Sequence, residues 1–520
     1  MSLPSINFIE GQGGLGRPLP NNDHISALLF YTNGTLPSGY ASTSVATRCK
    51  ALYTPDDAVT AGILKDYSDA TAATGVYTFT NVGANGDTVE LKVNDIALAN
   101  GASQTTSLGA YTKVAADSTV TLLAASYAAL INAGTATHGY SATSNVGAVT
   151  IIAPKRLGAF LNGTTPLTVT IVGTIAGTIT GQIGTTVAGV ASRFVQYYYQ
   201  ISEFFRLNPK GKLWVGFFGV PSTYTFSEVT DMQNNAIGEI RQIGVYKDAV
   251  YATADLTALD TICATNKGLY QPLQALYAGN LQATTDITTI ADIGTLSANE
   301  AQDVIGQDAG GWGNFLYKMN GTSGIKSISC LGAQLGVISS LKVSDSMANV
   351  GACNLSNGTE LEVAGFANGQ LLSALSANAL DALNTKRHVF LRKFNGYTGT
   401  YFNDSHMAIS QSSDYAYMEN NRTISKAERL LYVAYLPKLN SSLLLNSTGT
   451  LADTTIAEFE TIGNVVLDQM VRDSEISAKS LTINPLQNIL TTSKLVIAVV
   501  LVIKGIARTI EVGIGFKPSI

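Results

Sequence analysis

Residues 494–520, which read KLVIAVVLVIKGIARTIEVGIGFKPSI, decide how the rest of the chain is understood. Nine consecutive apolar residues, 495–503, are followed by Lys504 and Gly505 and then by a run in which apolar and polar residues alternate. A continuous apolar run and an alternating run, both rich in β-branched residues, predict the two strands of a hairpin. Because two strands alone are marginally stable in water, we expect this hairpin to join a sheet in a neighbouring copy of the protein.

The composition also favours a protein that packs against copies of itself. Charged residues make up 13% of the 520 residues, whereas about 25% is typical of soluble domains. A surface so poor in charge keeps a monomer in solution poorly. The net charge of −5 excludes a broad basic surface, so we expect no nucleic-acid partner.

The cysteines and the N-terminus carry no export or membrane signal. Cys49, Cys263, Cys330 and Cys353 are far apart in the chain, which favours buried free thiols over a disulfide framework. No basic segment followed by an apolar segment opens the chain, and the longest apolar run is about half of the ~20 residues that span a bilayer. We expect synthesis in the cytosol and no membrane insertion.

A short strand and a glycine-rich link begin the chain. The strand is predicted over Ser5, Ile6, Asn7, Phe8 and Ile9. The link contains a formal GxGxxG motif, whose nucleotide-binding form must open a helix. Arg-Pro-Leu-Pro follows at residues 17–20 instead, so we interpret the link as a hinge. The hinge glycines are Gly11, Gly13, Gly14 and Gly16.

The rest of the chain predicts a multidomain α/β (α+β) protein. Strand-like and helical segments alternate after residue 190, which indicates a largely parallel sheet. Between residues 73 and 189 the chain is rich in Thr, Gly and Val and predicts a self-contained β-rich domain inserted at the surface. Helices are expected at 256–278, 298–305 and 455–473, and a Ser425–Glu428 capping box at the start of another. The predicted units are an arm (1–24), a core (25–72 and 190–420), the insert (73–189), a C-terminal domain (421–493) and a hairpin arm (494–520).

No constellation of catalytic or metal-binding residues is recognisable. The four histidines have no metal-ligand spacing, although His388 and His406 are close enough in sequence to meet in space. No phosphate-binding loop or nucleophile elbow occurs. Aromatic residues between 197 and 218 are interpreted as core packing rather than a ligand platform. We therefore expect no enzyme activity and no cofactor.

Several motifs resemble the tail sheath proteins of contractile phages, in the branch found in Bacteroidetes-type phages. Residues 199–209 (YQISEFFRLNP) and 213–215 (LWV) resemble the central part of these sheaths. Four C-terminal stretches follow the order and spacing of the sheath C-terminal domain: 420–429 (NNRTISKAER), 435–440 (YLPKLN), 483–489 (INPLQNI) and 505–516 (GIARTIEVGIGF). The resemblance covers residues 1–70 and 190–520, and the hairpin departs from it at Lys504.

This resemblance implies hexameric rings stacked in a helical sheath around a tail tube, in a virion assembled in the host cytoplasm. The implied partners are further copies of the chain, the tail tube protein, and baseplate and tail terminator or neck proteins. Contraction would drive the tube through the host envelope for genome ejection, without nucleotide. Intersubunit strand exchange is expected at Ser5–Ile9 and at Leu495, Ile497, Val499, Leu501, Ile503, Ile506, Ile510, Val512 and Ile514. The candidate tube-facing residues are Glu458, Glu460, Asp468 and Arg472.

Two other classes of protein remain open. A surface or adhesin-type structural β protein is suggested by the Thr-rich insert, and it needs an export signal. An α/β enzyme in the region 210–440 needs a nucleophile or a metal constellation.

Overall fold

A six-stranded, mostly parallel sheet forms the centre of the computed structural model, which describes residues 22–97, 99–321 and 326–516. Five of its strands run parallel: β1 (Ile25–Tyr31), β10 (Lys212–Phe218), β11 (Gln242–Val250), β12 (Gln274–Asn280) and β13 (Ala301–Asp303). Strand β2 (Cys49–Leu52) closes one edge antiparallel to β10, and the strand order is β13-β12-β11-β1-β10-β2. The first elements of the chain are β1 (Ile25–Tyr31), α1 (Val45–Arg48), β2 (Cys49–Leu52) and α2 (Pro55–Thr60).

The chain then leaves the core to build a domain of two small sheets and one long helix. Its elements are β3 (Thr74–Asn81), β4 (Thr88–Ile96), β5 (Ser103–Thr112), α3 (Val120–Ala133), α4 (Thr135–His138), β6 (Ser141–Asn145), β7 (Ala148–Ile152), β8 (Leu167–Val172) and β9 (Ala176–Gly181). The sheets have the orders β6-β7-β3-β9 and β5-β4-β8. Thr71 and Val190 exchange both backbone hydrogen bonds, each 3.1 Å long, where this domain leaves and rejoins the core.

The chain returns to complete the core and then forms a smaller C-terminal domain. The core elements are α5 (Arg193–Leu207), β10 (Lys212–Phe218), α6 (Glu228–Asn235), β11 (Gln242–Val250), α7 (Thr253–Gly268), β12 (Gln274–Asn280), β13 (Ala301–Asp303), β14 (Gly306–Asp308), α8 (Trp312–Met319), α9 (Leu331–Ser340), β15 (Ala364–Phe366), α10 (Ala377–Thr385), β16 (Leu391–Phe394) and β17 (Tyr397–Phe402). The C-terminal elements are α11 (Met418–Tyr435), α12 (Asp453–Arg472), β18 (Ile476–Ile483), α13 (Ile489–Thr492) and β19 (Ile497–Ile503). The predicted α/β multidomain fold class is confirmed.

Helices cover both faces of the central sheet, which is why every residue of β1 is buried. On one face, α5 and α9 lie unusually close together. A Cβ atom on Gly332 would lie 2.0 Å from the Gln200 carbonyl oxygen, so only glycine permits this approach. The aromatic residues of α5 fill the space above the sheet, and Tyr197 and Phe30 have ring centroids 4.6 Å apart. The aromatic cluster is core, as the sequence predicted, and the four cysteines are free and buried.

The inserted domain shares its apolar core with the central domain. Tyr199 from α5 and Phe315, Leu316 and Met319 from α8 lie in the same buried cluster as the strands of the insert. The expectation of a self-contained domain is therefore wrong: one wall of its core belongs to the central domain.

Several predicted elements differ from the structure. The expected helix over 256–278 is two elements, α7 and the buried strand β12, and the expected helix over 298–305 contains strand β13. The capping box at Ser425 is also wrong, because α11 begins at Met418 and Ser425 lies inside it. There the Ser425 hydroxyl accepts a hydrogen bond of 2.9 Å from Gln274 Nε2, which ties α11 to β12.

The predicted hairpin of the last residues is the most consequential error. The apolar run does form a strand, β19, but its partner is the preceding strand β18. Residues 506–516 form no strand in the structure. β18 takes the place that the alternating run was expected to fill, and no strand of the described residues pairs with that run.

Candidate assembly surface

β18 and β19 form a two-stranded antiparallel sheet that covers one side of α12. On its inner face Leu481 lies opposite Val499 and Ile483 lies opposite Ile497, and all four contact the apolar side of α12. Lys479 Nζ reaches past these residues to Asp468 at 3.3 Å. Burial against α12 explains why this small sheet is stable with only two strands.

The outer face of this sheet is exposed and uncharged, and its two edges are unpaired among the described residues. The outer residues are small or β-branched and uncharged, and all are exposed: Ala478, Ser480, Thr482, Ala498, Val500 and Val502. Among the described residues, no third strand pairs with β18 or β19, so each presents an open edge of backbone donors and acceptors. Open, uncharged edges are templates for pairing with another chain.

The C-terminal segment leaves this sheet and is fastened to the central domain by two cations. Lys504 Nζ lies 2.7 Å from Asp345 Oδ1. Arg508 is held more firmly: its Nε lies 2.8 Å from Asp404 Oδ2 and its Nη2 lies 2.6 Å from Glu419 Oε1. These contacts direct the segment across the core domain, away from its own β18–β19 sheet.

Buried groups surround the Arg508 guanidinium. Its Cζ lies 3.4 Å from the centroid of the Tyr417 ring, which adds a cation–π contact. Glu419 is buried at the start of α11 and also accepts a hydrogen bond of 2.5 Å from the Ser405 hydroxyl. Burial raises the pKa of Glu419, and the charge of Arg508 opposes that rise. Arg508 therefore offsets part of the cost of burying the Glu419 carboxyl.

Beyond Arg508 the chain is apolar on one parity and almost wholly exposed. Ile510 is 79% exposed and Ile514 is 89% exposed, and Val512 and Phe516 are similarly uncovered. The intervening residues Thr509, Glu511, Gly513 and Gly515 are polar or small. We call residues 509–516 the tail. It carries the pattern of a half-buried strand, but no sheet in the described part of the chain covers it.

The other predicted site residues are distributed as follows. Ser5–Ile9 and the hinge glycines lie outside the described residues. Leu495, Ile497, Val499, Leu501 and Ile503 contribute to the chain's own sheet or to its core rather than projecting from it. Of the tube-facing candidates, Glu458 pairs with Lys438, Asp468 pairs with Lys479, Glu460 is half-buried, and Arg472 donates to Gln469 Oε1 at 2.8 Å.

Sequence reasoning missed the Arg508 anchor. Arg508 has the same parity as Ile506 and Ile510, so it places a charge on the apolar side of the predicted strand. A cation at such a position indicates a buried anionic partner. Nothing in the sequence identified Asp404 and Glu419 as those partners, because they lie about a hundred residues away.

The two histidines considered as a pair have separate structural roles. His388 lies between Asp303 Oδ2, 2.6 Å from its Nδ1, and the Ala291 carbonyl oxygen, 2.8 Å from its Nε2. His406 Nε2 lies 2.9 Å from Asn384 Oδ1. Within residues 22–97, 99–321 and 326–516, no group of three or more His, Cys, Asp or Glu residues is arranged to hold a metal ion. No helix in the same ranges combines the length and apolarity needed to cross a bilayer.

Two carboxylates, Asp308 and Glu360, lie at the start of α8. Asp308 Oδ1 accepts hydrogen bonds from the backbone of Gly310 and Gly311, and Glu360 Oε2 accepts one from Trp312 N at 3.0 Å. Burial, together with the neighbouring charge of Asp308, raises the pKa of Glu360 to about 7. Glu360 therefore retains a proton in the folded protein at pH values where the unfolded chain has lost it.

This titration gives a pH-dependent stability with a defined sign. When the pKa of a carboxyl rises on folding, its protonation adds to the free energy of unfolding. For Glu360 this contribution is complete below pH about 4.5 and is lost as the pH rises through about 7. Glu360→Gln should therefore raise the free energy of unfolding by about 1–2 kcal/mol at pH 8 and leave it nearly unchanged at pH 4.5. Urea titrations at both pH values measure this. Glu362→Gln is the control, and an equal effect of Glu360→Gln at the two pH values would refute the assignment.

Two family models together match nearly the whole chain. The family model described as DUF2586, N-terminal domain, matches residues 3–406, and the one described as DUF2586, C-terminal domain, matches residues 414–519. No curated protein matches the chain in sequence.

Solved structures with a similar chain come from contractile particles. The chain is similar to one in the anti-feeding prophage baseplate, at 12% identity and a TM-score of 0.43. It is also similar to one in the anti-feeding prophage helical sheath in its contracted state, at 14% identity and a TM-score of 0.43. Each of these likenesses covers 64% of this chain and 85% of the other. A third, to the contracted sheath complex of the extracellular contractile injection system PVC, has 14% identity and a TM-score of 0.40 and covers 62% and 81%.

Proposed function

Because the chain belongs to the DUF2586 family along both its N-terminal and its C-terminal domain, we propose a single role for the whole molecule, that of a self-assembling subunit of a contractile tail sheath. The observation that carries this proposal is the exposed tail, which has the pattern of a strand but no sheet. The motifs that resemble phage sheath proteins and the low content of charged residues support it from the sequence.

The tail of one subunit is the donor in the proposed assembly. An added strand gains main-chain hydrogen bonds along its whole length, and its alternating side chains give it register. With Ile510, Val512 and Ile514 turned toward the inner layer, the small or polar residues of the other parity lie on the outer face. The tail and the receiving sheet would thus each have an apolar inner face and an outer face of small or polar residues.

The receiver is the β18–β19 sheet of a neighbouring subunit. No strand of the described residues pairs with either of its edges, and α12 provides the apolar layer on its inner face. Its outer face is uncharged, so an added strand meets no unpaired charge there. The predicted N-terminal strand Ser5–Ile9 is the second donor, one for each open edge. The residues 495–503, expected at first to project as part of an arm, are assigned to the receiver instead.

Strand addition suits a sheath because it connects subunits without fixing the orientation of their larger domains. The tail is joined to its own core domain at Arg508, and Gly11–Gly16 supplies the corresponding hinge at the other end. Rings could then rotate and approach one another while the mesh of added strands stays closed. A gain of about a few kcal/mol per subunit from larger ring-to-ring interfaces, summed over many subunits, would supply work without nucleotide.

The finer parts of the proposal concern partners outside the chain. A tube of a second protein would fill the sheath, with baseplate and terminator proteins at its two ends, and contraction would drive the tube through a host envelope. Glu458, Glu460, Asp468 and Arg472 on α12 are proposed to face the tube. Three of them already have partners within the chain, so their contacts with the tube would be weak and readily released.

Electron microscopy of the purified full-length protein tests the proposed function. We expect hollow tubes with helical striations at high protein concentration, and a sedimentation coefficient that rises with concentration. A protein that stays monomeric at every concentration and salt condition would refute the sheath assignment and favour a surface or adhesin-type protein.

A further inference from the structure

Three largely buried titratable side chains from distant parts of the chain meet at α11. Lys426 Nζ lies 2.7 Å from Asp23 Oδ2 and 2.6 Å from Glu475 Oε1. The side chains of Lys426, Asp23 and Glu475 are 7%, 13% and 6% exposed, so little water reaches the atoms between them. Asp23 precedes β1, Lys426 lies within α11, and Glu475 precedes β18. The cluster therefore joins the first strand of the central sheet to the C-terminal domain.

The cluster brings together an amine, a carboxyl carbon and a group that can carry a proton. Cγ of Asp23 is one bond from Oδ2, so Lys426 Nζ needs only a small approach to reach the ~3–3.5 Å separation of reacting atoms. Glu475 contacts the same nitrogen, and its Oε2 is buried without a hydrogen-bond partner among the described residues. Burial also raises the pKa of Glu475, while Lys426 opposes that rise. Glu475 is therefore placed to accept a proton from the amine and to hold it.

The charges around the cluster favour an amine that has lost its proton. Arg429 Nη2 lies 2.6 Å from Asp23 Oδ1, and Arg241 and Arg422 are close enough for the charge of Asp23 to act on them. Burial lowers the pKa of Arg241 to about 9 and that of Arg422 to about 10, and the charge of Arg429 contributes to both decreases. Four cations thus surround the two carboxylates of the cluster. Loss of a proton from Lys426 reduces the repulsion among them.

We propose that Lys426 and Asp23 condense to an intramolecular isopeptide bond, with Glu475 as the proton carrier. Lys426 passes one proton to Glu475 Oε1, and the neutral Nζ then attacks Asp23 Cγ. Arg429 stabilises the negative charge that develops on Oδ1. As the Nζ–Cγ bond forms, Oδ2 receives the proton held by Glu475 and a second proton from the amine, and the Cγ–Oδ2 bond breaks to release water. One ammonium and one carboxylate become one amide and one water, so the reaction needs no other reactant.

Two other lysines have part of this arrangement and provide a comparison. Lys267 also lies between two carboxylates, at 3.2 and 3.3 Å, but its side chain is 30% exposed and therefore well hydrated. Lys247 is as buried as Lys426, but its ion pair is with a single carboxylate, that of Asp255. Burial and a second carboxylate in contact with the amine occur together at Lys426.

Intact mass spectrometry of the denatured full-length protein tests for this bond. We expect a mass that is one water molecule below the mass calculated from the sequence. Proteolysis should yield a branched peptide that joins the segment containing Asp23 to the segment containing Lys426. A mass equal to the calculated one, after prolonged incubation of the folded protein at neutral pH, would overturn the proposal. Loss of water without the branched peptide would also overturn it, because a succinimide at an aspartate gives the same mass.

Substitutions within the cluster test the role of each group. Lys426→Arg should restore the calculated mass, because the guanidinium keeps the charge but is no nucleophile. Glu475→Gln should slow bond formation by about a hundredfold or more, because an amide cannot carry the proton. Lys267→Arg is the matched control and should retain the loss of water.

Circular dichroism of each variant confirms that it is folded before its mass is compared. A loss of water that persists in Lys426→Arg, or an unchanged rate in Glu475→Gln, would contradict the assigned chemistry. All of these measurements are made on unassembled protein, so their outcome is independent of the proposed sheath.

Discussion

Val512→Asp should abolish tube formation while leaving a folded monomer. In the proposed assembly Val512 lies on the inner face of an added strand, where a carboxylate would be buried against a neighbour's apolar layer without a partner. In the subunit itself this side chain is mostly exposed, so the free energy of unfolding should change by less than about 0.5 kcal/mol. Electron microscopy scores tubes, and urea titration of the unassembled protein scores folding.

Thr509→Asp is the control that isolates strand parity. It adds the same charge three residues away, on the parity that would face outward beside Glu511. Tubes should therefore persist with this variant. If both aspartate variants assemble normally, the tail is not an added strand; if both fail, net charge rather than side-chain direction is responsible.

Arg508→Ala should have the largest effect on the stability of the subunit of any single substitution between residues 504 and 516. It removes the cation that faces two carboxylates, one of which, Glu419, is almost completely buried. An isolated buried charge is costly, and the partial exposure of Arg508 reduces that cost. We expect a loss of about 2–3 kcal/mol in the free energy of unfolding, measured by urea titration. Tube formation should also be impaired, because the tail would leave the core in no fixed direction.

The second cation of the same segment provides the comparison. Lys504 pairs with Asp345, and both side chains are about one-third exposed. Lys504→Ala should cost less than about 1 kcal/mol. Arg508→Lys should recover only part of the loss, because a single ammonium cannot reach Asp404 and Glu419 together as the guanidinium does. An equal cost for Arg508→Ala and Lys504→Ala would contradict the role assigned to Glu419.

The sequence predicted the type of most long elements but not the partners of its most apolar strand. The continuous run of nine apolar, mostly β-branched residues at 495–503 predicts a strand, and seven of them form β19. It does not say that β18 rather than the alternating run completes the pair. In the structure, β18 and β19 both pack against α12, and the ion pairs of Arg508 hold the chain that follows at the core domain.

Two other predictions were wrong for different reasons. Gly268 and Pro272 both interrupt the expected helix over 256–278, and they are ordinary signals for the end of a helix. Ser425 and Glu428 have the spacing of a capping box, but Ser425 forms its hydrogen bond with another element. Spacing alone does not reveal whether a serine serves its own helix, because the partner lies about 150 residues away in the sequence.

The inserted domain is joined to the core at Thr71 and Val190, and this junction makes the protein a practical scaffold for displaying other domains. Thr71 and Val190 are adjacent, so a foreign domain whose ends lie close together can replace the insert without stretching the central domain. Deleting the insert without a replacement would expose Phe315, Leu316 and Met319 and create an apolar surface patch that promotes aggregation. A graft therefore needs an apolar surface of its own against these residues, or polar replacements at the three positions, for the protein to remain soluble.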